Sequence, residues 1–174
     1  QAVLQPWRVA FAHLWTAGLW EEIQQQYRQL EIIQLLDTKP LATLMAMAKL
    51  GVNIPSCSSA GRLFDAVAAL LCVCPEQVSY EGQAAMELEA LVDPNWMGDA
   101  DFIGYPLALN TTTDLQLDPT PLWQALLHDL AKGCSKAEIA TRFHKGFALS
   151  LMAVARHLAQ QWGLETIVLS GGGF

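Results

Sequence analysis

Cations are scarce in this 174-residue sequence, and they never cluster. Ten Lys and Arg stand against seventeen Asp and Glu, for a formal net charge of −7. Gripping a phosphate backbone takes grouped positive charge, so no nucleic-acid partner is expected. Charge of either sign is thin, 16% of residues against 52% hydrophobic, which excludes a disordered tail and suits one well-buried globular core. No run of eighteen or more residues is apolar without interruption, so no membrane span is expected. A charged and then apolar leader is missing as well, and nothing in the residues points to secretion. Cysteine is sparse. Cys72 and Cys74 sit in an apolar run rather than at the short loop spacings of a zinc site, and they read as small core hydrophobes. Together with Cys57 and Cys134 they are taken as reduced thiols. No HxxxH, HExxH, GxSxG or Walker lysine motif occurs, and His13, His128, His144 and His157 are scattered, so no self-contained metal site or complete active site is expected.

Helical periodicity dominates what is there. Residues 1–36 carry two helical patterns broken near Gly18, with Pro6 suited to a first turn. A third short helix is expected over 41–50 and stops at Gly51. After a loop at 53–59, Ser58 or Ser59 can cap a helix over 60–71 that is apolar nearly all round and therefore buried. Pro75 ends it, and a further helix is expected over 80–92. A loop at 93–104 precedes a β-hairpin, 105–109 against 114–118, turning through Asn110-Thr111-Thr112-Thr113. Another helix follows over 119–132. Ser135-Lys136-Ala137-Glu138 is a capping box, and behind it Ile139, Phe143, Phe147, Leu151, Val154, Leu158 and Trp162 form an unbroken helical stripe up to Gly163. The β-branched run 166–169 reads as a buried strand feeding a glycine loop. The chain opens in a helical pattern without an initiating Met and closes on that loop, so both ends read as cuts in a longer protein.

Two places could hold chemistry. Between Gly51 and Pro75 the only charged residues are Arg62 and Asp65, three apart on one helix face. Such a pair in a buried helix is either a structural ion pair or the edge of a polar cavity, where Asp65 accepts hydrogen bonds from sugar hydroxyls. Glycines 171–173 after the strand could bring backbone amides to a phosphate, although many strand-to-helix turns are glycine-rich. Glu81 would complement the dipole of the next helix, and Glu87 and Glu89 would form its solvated edge.

Longer patterns then carry a resemblance. Ser58-Ser59-Ala60-Gly61-Arg62-Leu63-Phe64-Asp65-Ala66-Val67-Ala68-Ala69-Leu70-Leu71 and Ser79-Tyr80-Glu81-Gly82-Gln83-Ala84-Ala85-Met86-Glu87-Leu88-Glu89 closely resemble signatures of the hydrogenase-maturation carbamoyltransferases. Pro6-Trp7-Arg8, Phe143-His144 and Val168-Leu169-Ser170-Gly171-Gly172 agree in order along the chain. The resemblance implies an internal fragment of the carbamoyltransferase domain, with a helical segment at 1–50 and a nucleotide-site lobe at 51–174. Its implied fold class is mixed α/β and helix-rich, part of an actin, Hsp70 and sugar-kinase type of nucleotide-binding domain with a small hairpin. That domain is similar to the catalytic subunit of the tRNA threonylcarbamoyl-adenosine machinery.

The family is cytoplasmic. Its members convert carbamoyl phosphate and ATP to carbamoyl-adenylate and pass the carbamoyl group to a C-terminal cysteine of a hydrogenase maturation protein. By the same resemblance, Asp65 meets the nucleotide ribose, Gly82, Gln83, Ser170, Gly171 and Gly172 approach the nucleotide, and Arg62 and Glu81 support them. A divalent metal and zinc are implied for the full-length protein, with ligands outside this segment, so the segment alone is expected to be inactive. Two departures stand out: Gly173 where the family continues with Val, and Cys72 where it usually has Gly. The competing reading is a non-catalytic helical scaffold that binds a partner through apolar surfaces.

Overall fold

The computed structural model describes residues 4–52, 57, 59–111 and 115–168. It divides into two compact units, residues 1–88 and 89–174.

In the first unit, α1 (Pro6–Thr16) packs along α5 (Ala60–Leu70). Trp7, Ala10, Phe11 and Leu14 recur every three to four residues and form the buried stripe of α1. The facing helix is mostly small. Ala66, Val67, Ala68 and Ala69 are fully buried, and their short side chains let the two backbones approach. Two backbone bonds hold the start of the chain to the loop after α5: Trp7 N–H to Pro75 C=O at 2.9 Å and Val78 N–H to Leu4 C=O at 3.0 Å. The unit also holds α2 (Trp20–Gln26), which packs on α1, together with α3 (Glu31–Asp37), α4 (Leu41–Leu50) and α6 (Gln83–Glu89), the last ending at the boundary between units. Phe11 meets Trp20 edge-on at 5.2 Å, and Ile32, Ile33 and Leu36 of α3 are fully buried. Burying side chains of this size contributes roughly 1.5–3 kcal/mol each. The second expected helical pattern is thus two helices, separated at residues 27–30.

The second unit is built on α9 (Lys136–Trp162), against which pack α7 (Pro94–Gly98), α8 (Thr120–Ala131) and β1 (Ala108–Asn110). β1 pairs antiparallel with β2 (Gln116–Asp118), Leu109 opposite Leu117, so the expected hairpin forms with shorter strands. Ser135 caps α9 by accepting from Glu138 N–H, and Gly163 closes it in the left-handed conformation. α7 is a helix within the expected loop, capped by Asp93, which accepts from Asn95 N–H at 2.8 Å. Asp93 N–H in turn donates to Thr141 Oγ1 on α9 at 2.9 Å.

The apolar stripe of α9 is buried at Ile139 and Phe143, half-buried at Phe147, Leu151, Val154 and Leu158, and exposed at Trp162. Residues 164–168 are not a strand, which corrects the expectation of a buried one: Ile167 is 57% and Val168 81% exposed. A strand needs a ladder partner for its backbone groups, and among the described residues β1 and β2 pair only with each other.

Candidate functional site

Asp65 lies in the second turn of α5 and is only 4% exposed. Arg62 sits one turn earlier, and its Nη1 lies 2.8 Å from Asp65 Oδ2, so the i,i+3 spacing brings the pair together as expected. The other arm of the guanidinium reaches Glu81 Oε1 at 3.4 Å. Glu81 therefore belongs to this cluster. It cannot serve as a first-turn carboxylate because α6 begins only at Gln83. Burial pushes the Asp65 carboxyl above its ordinary range and Glu81 adds to that, while Arg62 opposes both. The cation is what keeps a carboxylate in this position.

Next to Glu81, Gly82 has φ +87°, and a Cβ built there would meet nothing within 4 Å. Packing does not demand glycine at this position, but the backbone conformation does, since L side chains rarely adopt it. Gln83 is held locally: its Oε1 accepts from Ser79 N–H at 2.7 Å, and its Nε2 donates to Glu87 Oε1 at 2.8 Å. Glu87 Oε2 also accepts from the Cys74 thiol at 3.0 Å, so Glu87 is a member of a network rather than a plain solvated edge. Burial and Glu87 push that thiol up to about 11, which makes Cys74 an inert donor at neutral pH.

The structure thus places Arg62, Asp65, Glu81 and Gly82 in one neighbourhood, with Gln83 beginning the adjoining helix. Ser170, Gly171 and Gly172 lie outside the described residues. No group of three or more His, Cys, Asp or Glu among the described residues could hold a metal ion.

The second unit carries a polar network that sequence reasoning missed. Tyr105 is 3% exposed and donates through its hydroxyl to Asp129 Oδ2 at 2.8 Å. Arg142 lies 3.7 Å from the same carboxylate oxygen and bonds Glu138 at 2.9 Å. Only the Glu138–Arg142 pair, four apart on a helix, was readable in advance. A shallow open cavity of about 260 Å³ lies between the hairpin and α9, lined by Tyr105, Leu107, Leu117, Leu149 and Ser150 among others. It contains none of the residues picked out from the sequence.

The whole chain, residues 1–174, matches the family model described as carbamoyltransferase, Kae1-like domain, second subdomain. It is 36% identical over its full length to carbamoyltransferase HypF of Rhodobacter capsulatus and 34% identical to that of Synechocystis sp.. Against a HypF homolog of Cupriavidus necator it is 34% identical over 99% of its length. The chain spans 21%, 23% and 43% of these relatives respectively. A full-length HypF solved in its phosphate- and nucleotide-bound form resembles 99% of this chain with a TM-score of 0.79 and 27% identity, over 21% of its own length. The likeness bears out the helix-rich, mixed α/β fold class.

Proposed function

The chain belongs to the carbamoyltransferase family, as the second subdomain of its Kae1-like domain, and from that premise we propose that it supplies the ribose side of a nucleotide site used in carbamoyl transfer. One observation carries the reading: Asp65 is buried, yet it is paired to a cation whose other arm holds the Glu81–Gly82 turn. A carboxylate so placed accepts hydrogen bonds from ribose hydroxyls, and the left-handed Gly82 lets backbone approach the nucleotide. The phosphate- and nucleotide-bound form of a HypF with this fold supports a nucleotide as the ligand.

The nucleotide, on this reading, is ATP or the carbamoyl-adenylate made from it and carbamoyl phosphate. The acceptor is the C-terminal cysteine of a hydrogenase maturation protein, and the setting is cytoplasmic. We assign Gln83 to the same nucleotide; the family resemblance also gives Ser170, Gly171 and Gly172 a nucleotide contact, and these lie outside the described residues. By the family resemblance, the implied divalent metal and zinc would be held by residues elsewhere in the parent chain. A partner-binding scaffold would account for exposed Leu50, Met86 and Trp162 but not for a buried carboxylate tied to a glycine turn.

The test is Asp65→Ala in the full-length parent enzyme, with Asp65→Asn beside it to keep the shape. Losing charge-assisted bonds to the ribose costs about 1.5–3 kcal/mol, so adenylate binding and carbamoyl transfer should fall roughly ten- to hundredfold. Hydrolysis of carbamoyl phosphate, which the family resemblance assigns to another domain, should be nearly unchanged. Thermal melts must accompany the assay, because losing its buried partner leaves Arg62 with only the exposed Glu81 and weakens α5. Normal transfer by stably folded variants would leave Asp65 as a structural ion-pair partner only.

A further inference from the structure

We propose that Arg62 is the positioning residue of this site, using Glu81 as an outer anchor to fix the Asp65 carboxylate and the Gly82 turn relative to each other; the idea rests on the ribose reading of Asp65. The argument starts from exposure. Along the three charged side chains it rises from 5% at Asp65 through 16% at Arg62 to 76% at Glu81. Neutralising Asp65 requires only the 2.8 Å contact with Arg62 Nη1. The second contact, Nη2 to Glu81 Oε1 at 3.4 Å, adds nothing to that neutralisation, since a second carboxylate on the same cation makes an ionised Asp65 less favourable.

What the second contact does provide is geometry. The guanidinium carries two nitrogens on one rigid plane: Nη2 donates to Glu81 Oε1, while Nη1 meets Asp65 Oδ2 as an ion pair outside hydrogen-bond alignment, so one planar cation bridges the two carboxylates. One carboxylate belongs to α5. The other belongs to the residue preceding Gly82, whose left-handed backbone sets the direction of the following chain. Arg62 therefore links two elements that are far apart in sequence and that the proposed ligand must meet together. Lysine could replace the charge but not the fork.

The full-length parent enzyme tests this with two probes, ADP and 2′,3′-dideoxy-ADP, measured by calorimetry. Wild type should prefer ADP by about tenfold or more, the contribution of charge-assisted bonds to the ribose hydroxyls, and Asp65→Ala should erase that preference. Arg62→Gln should bring the preference close to one, with the larger loss falling on ADP, and Arg62→Lys should restore only part of it. Glu81→Gln alters an exposed group and carries little folding risk. It should narrow the preference by about two- to fivefold, in line with a solvent-facing ion pair. Should Arg62→Gln fail to fold, Glu81→Gln and Arg62→Lys decide the matter: full preference in both overturns the positioning role. Full preference in a folded Arg62→Gln overturns it as well. Equal binding of the two probes by wild type strikes down the ribose reading itself, a result separable from the others.

Discussion

At the scale of single residues, the end of α5 shows a local rule broken in a legible way. Val73 N–H bonds Ala68 C=O at 2.8 Å and Cys72 N–H bonds Ala69 C=O at 2.9 Å, the paired bonds that close a helix through a left-handed residue. That residue is Cys72, with φ 52°, and Cys74 repeats the conformation at φ 46°. Glycine is the usual occupant of such a position, and it is the residue the family resemblance leads one to expect there. The expectation that Cys72 and Cys74 are small core hydrophobes is corrected in both burial and backbone: each is only half-buried, and Cys74 donates to Glu87. Comparing Cys72→Gly with Cys72→Ala removes the thiol in both, leaving the backbone penalty as the difference. The glycine variant should be the more stable by about 1 kcal/mol, read from urea midpoints. Equal midpoints would mean that the turn relaxes to accept a Cβ. The Arg62–Asp65 pair was legible at this scale because helical spacing alone predicts it. Glu81 joining them was not, since that depends on where the loop after Pro75 returns.

At the scale of elements, the long helix came through from its capping box and stripe, while its most constrained residue did not. Gly146 lies inside α9, where glycine ordinarily weakens a helix by about 1 kcal/mol relative to alanine. Here it is the point of closest crossing. A Cβ on Gly146 would stand 2.0 Å from Tyr105 O, and one on Gly104 would stand 2.4 Å from Gly146 N. Both obstacles are backbone atoms, which cannot rotate away. Tyr105 N–H also bonds Arg142 C=O of α9 at 2.9 Å, so the 104–105 segment lies directly on the helix. Gly146→Ala should therefore destabilise the protein by about 2 kcal/mol or more, the reverse of the gain that helix propensity promises. Denaturant unfolding gives the sign directly, and a stabilised variant would mean the crossing is looser than it stands. No periodicity could announce this contact, because it depends on a loop glycine remote in sequence. The expected strand at 166–169 illustrates the converse. Its β-branched composition is a genuine signal, but β-propensity expresses fit to a pleated, half-buried surface, and residues 166–168 here have no such surface.

At the scale of the whole molecule, acid sensitivity should trace to one histidine in each unit. His13 on α1 and His144 on α9 both have pKa values lowered below the ordinary 6.5, with burial as the leading cause. At His144 the Nδ1–H bond to Ala140 C=O at 2.8 Å and the charge of Glu89 oppose that lowering without cancelling it. A histidine whose folded pKa is depressed binds its proton less readily than in the unfolded chain. Between the lowered values and 6.5 the unfolded state therefore carries more protons, so stability rises with pH across that window and is lost as pH falls through it from 6.5, with no further loss from these groups below the lowered values. Asp65 acts in the opposite sense. Its folded pKa is raised from 3.8, so the folded state binds the extra proton and its contribution to stability declines as pH climbs from there. The net slope in mildly acidic buffer thus sets two histidines against one carboxyl. Thermal melts at about pH 5.5 and pH 7 should show the higher midpoint at pH 7. The double variant His13→Gln, His144→Gln should flatten or reverse that difference, because only the Asp65 contribution then remains of the three. A double variant with the wild-type slope would show that these rings stay hydrated in the folded protein, and that its acid response comes from other groups.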